Sequence, residues 1–247
     1  MNILKEFKTI SKSRVLLVED RNKIFIRKIN HIDRNYEQML ALRKLGLLMP
    51  KILKKNSSTL DMEYIEGISM TDFFETNNPN LFTDFLCKLI DVLSVRSEYS
   101  DYSLIYRNKL NEIKSFSDFA FSKEELFEKL PTRLPKSHYH GDLTLDNILY
   151  FDKNFYLIDC LTSVYSSWIF DLVKLRQDLE CGWFLRSSRK KKFACLDDIQ
   201  KHLINRHPLL GNNYLLILML LRIYNYTLDS EADRNFLVCK INELWKG

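Results

Sequence analysis

His140-Gly141-Asp142-Leu143-Thr144-Leu145-Asp146-Asn147-Ile148-Leu149 is the stretch that decides how this chain is read. Twelve residues after Asn147 stands Asp159, at the end of Phe155-Tyr156-Leu157-Ile158. Ile148-Leu149-Tyr150-Phe151 and Phe155-Tyr156-Leu157-Ile158 are rich in strand formers, and Asp152-Lys153-Asn154 between them has turn composition. The two runs therefore read as a hairpin, which returns Asp159 beside Asn147. Any one of these polar residues alone would be a turn former. The ordered set, with apolar strands on both sides, instead gathers the carboxylates of Asp142 and Asp159 and the amide oxygen of Asn147. Such groups suit proton abstraction and the holding of a hard, oxygen-seeking cation.

Working outward, the first third reads mainly as strands. Ile3 to Ile10 is a weak first one. Arg14-Val15-Leu16-Leu17-Val18 and Lys23-Ile24-Phe25-Ile26-Arg27-Lys28-Ile29 flank the polar turn Glu19-Asp20-Arg21-Asn22. Asp33 has the chemistry of a helix N-cap, Tyr36, Met39, Leu40, Leu42 and Leu45 recur at helical spacing, and Gly46 is a stop. A second strand pair, Pro50 to Lys54 and Thr59 to Ile65, follows around Lys55-Asn56-Ser57-Ser58. From about Thr71 to Leu130 the pattern is helical, with Phe82, Phe85, Leu86, Leu89, Ile90 and Leu93 forming a core stripe. A loop begins near Pro135, and from Trp168 onward the chain is again mostly helical. A small antiparallel-sheet lobe followed by a larger helical lobe is an α+β arrangement. Its hinge falls at Ile65-Glu66-Gly67, giving lobes of residues 1–66 and 67–247.

Composition narrows the class. The chain has 247 residues, 46% hydrophobic and 28% charged, enough to bury a sizeable core in one bilobal unit. A net charge of +5 is too mild to imply a nucleic-acid partner. The cysteines, Cys87, Cys160, Cys181, Cys195 and Cys239, are odd in number and contain no CxxC pair, which points to neither zinc nor disulfides and suggests the reducing cytoplasm. Met1-Asn2-Ile3-Leu4-Lys5-Glu6 lacks the apolar stretch of a signal peptide. The most apolar run, Tyr214 to Leu221, is far short of the roughly 20 residues that span a bilayer, and reads as a buried helix.

Phosphoryl transfer asks for this constellation. It needs a carboxylate to orient a hydroxyl and take its proton, and cations to screen the phosphates. Asp142 is placed as the base, five residues before Asn147, with Asn147 and Asp159 as the ligands of Mg²⁺. His140 to Leu149 together with Leu157-Ile158-Asp159 resembles the aminoglycoside phosphotransferase and choline kinase superfamily, which shares the protein-kinase-like fold. Gly141 is typical of that branch. With Asp171-Leu172-Val173-Lys174-Leu175-Arg176-Gln177-Asp178, the motifs look closest to a bacterial phosphotransferase group associated with capsule and surface-polysaccharide genes. The resemblance covers roughly Ser11 to Trp183.

The resemblance implies that ATP binds between the lobes. A cation on the third strand would hold its phosphates, and Lys28 and Arg27 compete. Strand alternation puts Lys28 on the face of Ile26 and Arg27 on that of Phe25. Phe25 would crowd the adenine more, which favours Lys28, whereas a count along aminoglycoside phosphotransferase sequences favours Arg27. Glu37, with Gln38 as rival, would pair with that cation. The phosphate-covering loop Ser11-Lys12-Ser13-Arg14 has no glycine, so backbone amides and the Ser11 and Ser13 hydroxyls would reach phosphate instead. Met62-Glu63-Tyr64-Ile65 resembles the hinge whose backbone, at Glu63 and Ile65, holds adenine. Asp171 matches the residue that braces the catalytic loop, and Cys160 replaces the aromatic residue usual after the metal-binding Asp.

These readings make the acceptor a small-molecule hydroxyl, such as that of a sugar linked to surface polysaccharide. An aminoglycoside kinase and a pseudokinase binding module are the alternatives. Arg186, Arg189 and Lys190 to Lys192 suggest an anionic acceptor, or peripheral contact with an anionic surface without a transmembrane segment.

Overall fold

The alternating apolar run of residues 14–20 and its partner at 23–29 need only a two-residue connection if both turn residues accept a left-handed backbone. Arg21 and Asn22 do, with φ of 49° and 63°. The computed structural model describes residues 1–7, 13–30, 32–95, 98–113, 115–186, 191–227 and 229–247. In chain order the elements begin with β1 (Asn2–Phe7), β2 (Arg14–Asp20), β3 (Lys23–Ile29), α1 (Asp33–Lys44), β4 (Ile52–Lys55), β5 (Thr59–Glu63), β6 (Ile68–Ser69) and α2 (Met70–Thr76). Then come α3 (Asn80–Leu93), β7 (Glu98–Asp101), α4 (Ser103–Glu112), α5 (Lys123–Lys129), β8 (Arg133–Lys136), β9 (Ile148–Phe151) and β10 (Asn154–Leu157). The last are α6 (Trp168–Leu179), α7 (Cys195–Arg206), α8 (Asn213–Tyr224) and α9 (Glu231–Lys246).

The chain forms two units, and neither is continuous: Met1–Thr76 with Asp146–Thr162, and Asn77–Leu145 with Ser163–Gly247. In the first, an antiparallel sheet runs in the order β1-β2-β3-β5-β4, and a smaller one in the order β10-β9-β6. A cut after Glu66 differs from this division because β6 pairs with β9, Ile68 opposite Tyr150. Gly67 permits that approach: a Cβ there would lie 3.1 Å from both Leu149 Cβ and the Tyr150 carbonyl. Phe73 of α2, fully buried, meets Tyr150 and Phe155 edge-on at centroid distances of 4.8 and 5.1 Å. Asp33 is the first helical residue of α1 rather than its cap, and it pairs with Lys55 at 2.8 Å. Gly46, with φ of 81°, follows the end of that helix.

The second unit is helical apart from β7 and β8, which pair antiparallel with Tyr99 opposite Pro135. A two-stranded sheet has only edge strands, so a proline is tolerated there. In α3 the residues Phe82, Leu86, Leu89, Ile90 and Leu93 are all buried. Each such side chain contributes about 1.5–3 kcal/mol on burial. Leu215 to Leu221 of α8 are wholly buried, so that helix is apolar all round because it is core, packed by α6 and α9. Among the described residues no helix is long and apolar enough to cross a membrane.

Candidate active site

In the first unit the β9–β10 hairpin positions two of the expected residues. Ile148 faces Leu157 across it, and the next hydrogen bond runs from the Ile158 N–H to the Asn147 carbonyl at 3.0 Å. Asp159 follows at once, with a left-handed φ of 54° that turns its backbone out of the strand direction. Both offer hard oxygen donors, a set that would fit Mg²⁺, which usually keeps several waters and takes one or two protein ligands. Among the described residues no group of three or more His, Cys, Asp and Glu gathers as a denser metal site.

Lys28 lies on the central strand β3, between Val15 and Leu60 in register, and is 7% exposed. Its ammonium donates to the Asp159 carboxylate. A buried ammonium is costly unless paired, so this contact explains how Lys28 is accommodated. Arg27 points to the other face, where its guanidinium lies 5.4 Å from the centre of the Phe25 ring. There it grips Asp61, its cross-strand neighbour, through two bonds of 2.6 and 2.7 Å. The guanidinium is thereby held well up in its cationic form, chiefly by that hydrogen bonding.

Glu37 is not the partner of Lys28. Helix α1 turns Asn35, Gln38, Met39 and Leu42 inward, and position 37 falls on the exposed side. Asn35 faces inward from that helix and reaches Asp159, the partner of Lys28. Its buried amide donates to Asp159 Oδ1 at 3.2 Å and to the Cys160 carbonyl at 2.6 Å, fixing the residues around the carboxylate. Gln38 is buried as well. Ser13 is buried, and Ser11 lies outside the described residues. At the expected hinge Ile65 is buried. Glu63 is engaged with Lys51: its N–H donates to the Lys51 carbonyl at 2.8 Å, and its carboxylate accepts the Lys51 N–H at 3.0 Å.

In the second unit the loop holding Asp142 is fastened to α6. Ser167 caps that helix, its hydroxyl accepting the Ile169 N–H at 3.2 Å. Positions 171, 174 and 178 then share one helical face by spacing. Asp171, 2% exposed, accepts the His140 N–H and, at 2.8 Å, the Gly141 N–H. Gly141 has φ of 89°, a conformation in which glycine carries no steric penalty. Asp178 accepts the Leu145 N–H at 2.8 Å. Between them the Lys174 ammonium donates to the Asp142 carboxylate. The Asp142 N–H reaches His140 Nδ1 at 3.3 Å. Burial pushes the Asp171 carboxyl up to about 7, against the pull of the backbone N–H groups of His140, Gly141 and Leu143. Burial and the Arg222 charge push the Lys174 ammonium down to about 7, with Asp178 opposing.

Of the described cations in the basic run, Lys191 is exposed, whereas Arg186 and Lys192 are engaged. Arg186 stacks on Trp183 at 4.0 Å and lies 3.6 Å from Asp233, and Lys192 binds the Glu180 carbonyl at 3.1 Å and Asp197 at 2.5 Å. Arg189 and Lys190 lie outside the described residues. Lys174, Asn35 and Asp178 were not assigned from sequence. The one signal for two of them was charge at 171, 174 and 178, positions that share one helical face by spacing.

A five-stranded antiparallel sheet with one helix, followed by a largely helical part, defines a protein-kinase-like α+β fold of the aminoglycoside phosphotransferase type. The model of the phosphotransferase enzyme family (APH) matches residues 13–194, and the chain belongs to that family. No curated protein matches it. Among solved structures it is similar to a thermostable mutant of aminoglycoside phosphotransferase APH(4)-Ia in ternary complex with ADP and hygromycin B. The TM-score is 0.70 at 13% identity, covering 98% of this chain and 92% of that one. It is also similar to a putative fructosamine-3-kinase from Haemophilus somnus 129PT, with TM-score 0.64, 15% identity and coverage of 97% and 90%. A third is an ethanolamine kinase from Plasmodium vivax, with TM-score 0.53, 14% identity and coverage of 98% and 81%. At these identities the likeness is one of fold.

Proposed function

We propose that this phosphotransferase moves the γ-phosphoryl group of ATP to a hydroxyl of a small molecule, with a saccharide linked to surface polysaccharide as the acceptor class. The observation that carries the reading is the buried Lys28 paired with Asp159, on the hairpin that also presents Asn147. Lys28 would neutralise the α- and β-phosphates, and Asn147 and Asp159 would hold Mg²⁺. When bound, the ion screens phosphate charge. Asp142 would accept the proton of the acceptor hydroxyl as the new O–P bond forms and the bond to ADP breaks. Glu63 and Ile65 would flank the adenine through their backbone, and Ser13 would lie at the phosphates. The acceptor class rests on the resemblance of the 140–149 and 171–178 motifs, and the cytoplasm as its place is supported by five free cysteines.

The test has two arms. ATP consumption across sugars, nucleosides, choline, ethanolamine, fructosamines and aminoglycosides identifies the acceptor. Asp142→Asn, which keeps size but removes basicity, then loses about 10²–10⁴-fold in transfer with nucleotide affinity nearly unchanged. Intact transfer in a folded Asp142→Asn protein overturns the mechanism, and an acceptor without a hydroxyl overturns the substrate class.

A further inference from the structure

Helix α6 meets the 140–145 loop at three successive levels, and only the middle one touches a side chain of the proposed chemistry. Asp171 and Asp178 take backbone N–H groups, whereas Lys174 takes the Asp142 carboxylate. The Lys174 side chain is 11% exposed and that of Asp142 is 29% exposed, so the pair stands at the edge of the protein interior, partly shielded from water. A lysine at an inward position is an expensive way to fill space, because its ammonium must be desolvated. An apolar residue would serve packing better. The position is therefore best explained by what the ammonium does to its one carboxylate neighbour on the loop.

We infer that Lys174 is the positioning residue of Asp142: its ammonium holds that carboxylate ionised and fixes its direction through an ion pair made from the buried face of α6. The inference rests on the reading of Asp142 as the base. A charge at hydrogen-bonding distance favours the ionised carboxylate and restricts its rotamer, which is what an acceptor of a hydroxyl proton requires before the acceptor arrives. Asp178, on α6 itself, favours the ammonium, and Arg222, on α8, opposes it. On the loop side His140 receives the Asp142 N–H on its ring nitrogen, and Asp171 is committed to backbone N–H groups. Burial lowers the Lys174 ammonium to about 7, still above the range in which a carboxylate titrates.

The inference is tested on the full chain by ¹³C-carboxyl NMR of aspartate-labelled protein, with the Asp142 resonance assigned by its loss in Asp142→Asn. In the wild type Asp142 should titrate below the ordinary value of about 3.9. Lys174→Met should raise that midpoint by about 1–3 pH units, the usual effect of losing an adjacent opposite charge. Lys174→Arg should keep it low, and Lys174→Gln, which retains a hydrogen-bond donor without charge, should behave as Lys174→Met. The second readout is slow hydrolysis of Mg·ATP with water as the acceptor. Lys174→Met should move its acid limb upward and lower kcat without changing KM for ATP, and Lys174→Arg should restore the limb. A residue that merely supports the loop would leave the limb in place. A wild-type midpoint at or above the ordinary value, or one unchanged in Lys174→Met or Lys174→Gln, overturns the inference. Retained transfer in Asp142→Asn removes the base reading instead and leaves the titration result standing, so the two failures are distinguishable.

Discussion

Replacing Asp171 by alanine removes the acceptor shared by the His140 and Gly141 N–H groups, both donated into a carboxylate 2% exposed. Neither donor then has water to turn to. A buried donor left unsatisfied costs about 1–3 kcal/mol, so two cost roughly 2–6 kcal/mol. Against a typical stability of about 5–15 kcal/mol, that is a large fraction. Asp171→Asn keeps one acceptor oxygen and should lose about half as much, on the order of 1–3 kcal/mol. Urea unfolding of the three proteins, with m-values compared, reads the difference directly. An Asp171→Ala protein within about 0.5 kcal/mol of wild type, below the cost of a single such donor, would refute the brace.

The same residue gives the stability a pH dependence of defined sign. Its carboxyl is raised by burial to about 7, above the unfolded value, so the native state binds this proton more tightly than the unfolded chain does. The contribution is full below about pH 4, declines as pH rises and is lost above about 7. Asp171→Asn cannot titrate. The stability gap between wild type and Asp171→Asn should therefore shrink from acid to neutral pH, and a gap that widens contradicts the sign.

Two further outcomes are expected. Lys28→Met should weaken nucleotide binding by about 10–100-fold, which corresponds to about 1.4–2.8 kcal/mol. Arg27→Met should instead cost stability, about 1.5–3 kcal/mol for the lost bonds to Asp61, and leave nucleotide affinity near wild type; calorimetry that found the reverse pattern would exchange the roles of the two cations. Lys192→Gln should leave acceptor affinity unchanged at low salt, because Lys192 is spent on Asp197 and the Glu180 carbonyl. A loss of affinity that high salt abolishes would return this run to substrate attraction.

The fold was legible wherever hydrophobic period and turn chemistry agreed. The strands at 14–20 and 23–29, the hairpin at 148–157 and the stripe of α3 all carry both signals. The β7–β8 pair was not legible, since Glu98-Tyr99-Ser100-Asp101 shows no apolar alternation and Pro135 argues against a ladder. The residues of the 140–149 loop were visible as a spaced set of side chains. The neighbours of Asp159 were less so, because a helix buries by angle and not by charge: at α1 the inward residue is the neutral Asn35, and the acidic Glu37 faces solvent. A charge-seeking reading selects the wrong step of that helix.

On α6 the opposite holds, and this bears on why the face is charged at all. Asp171, Lys174 and Asp178 are three ionisable residues at inward positions where leucine would pack at lower cost. Apolar residues there would leave the loop held only by contact, free to choose among several backbone conformations. Each acid instead accepts one or two particular N–H groups, and the lysine accepts one orientation of one carboxylate. Directional bonds of this kind select a single loop geometry as well as contributing stability. It follows that removing the whole set should loosen the 140–145 loop before it unfolds the helix. Hydrogen exchange would show this as faster exchange at the Gly141 and Leu145 amides, with the interior amides of α6 still protected. Simultaneous loss of protection in both would mean that the charged face supports the fold of the second unit itself.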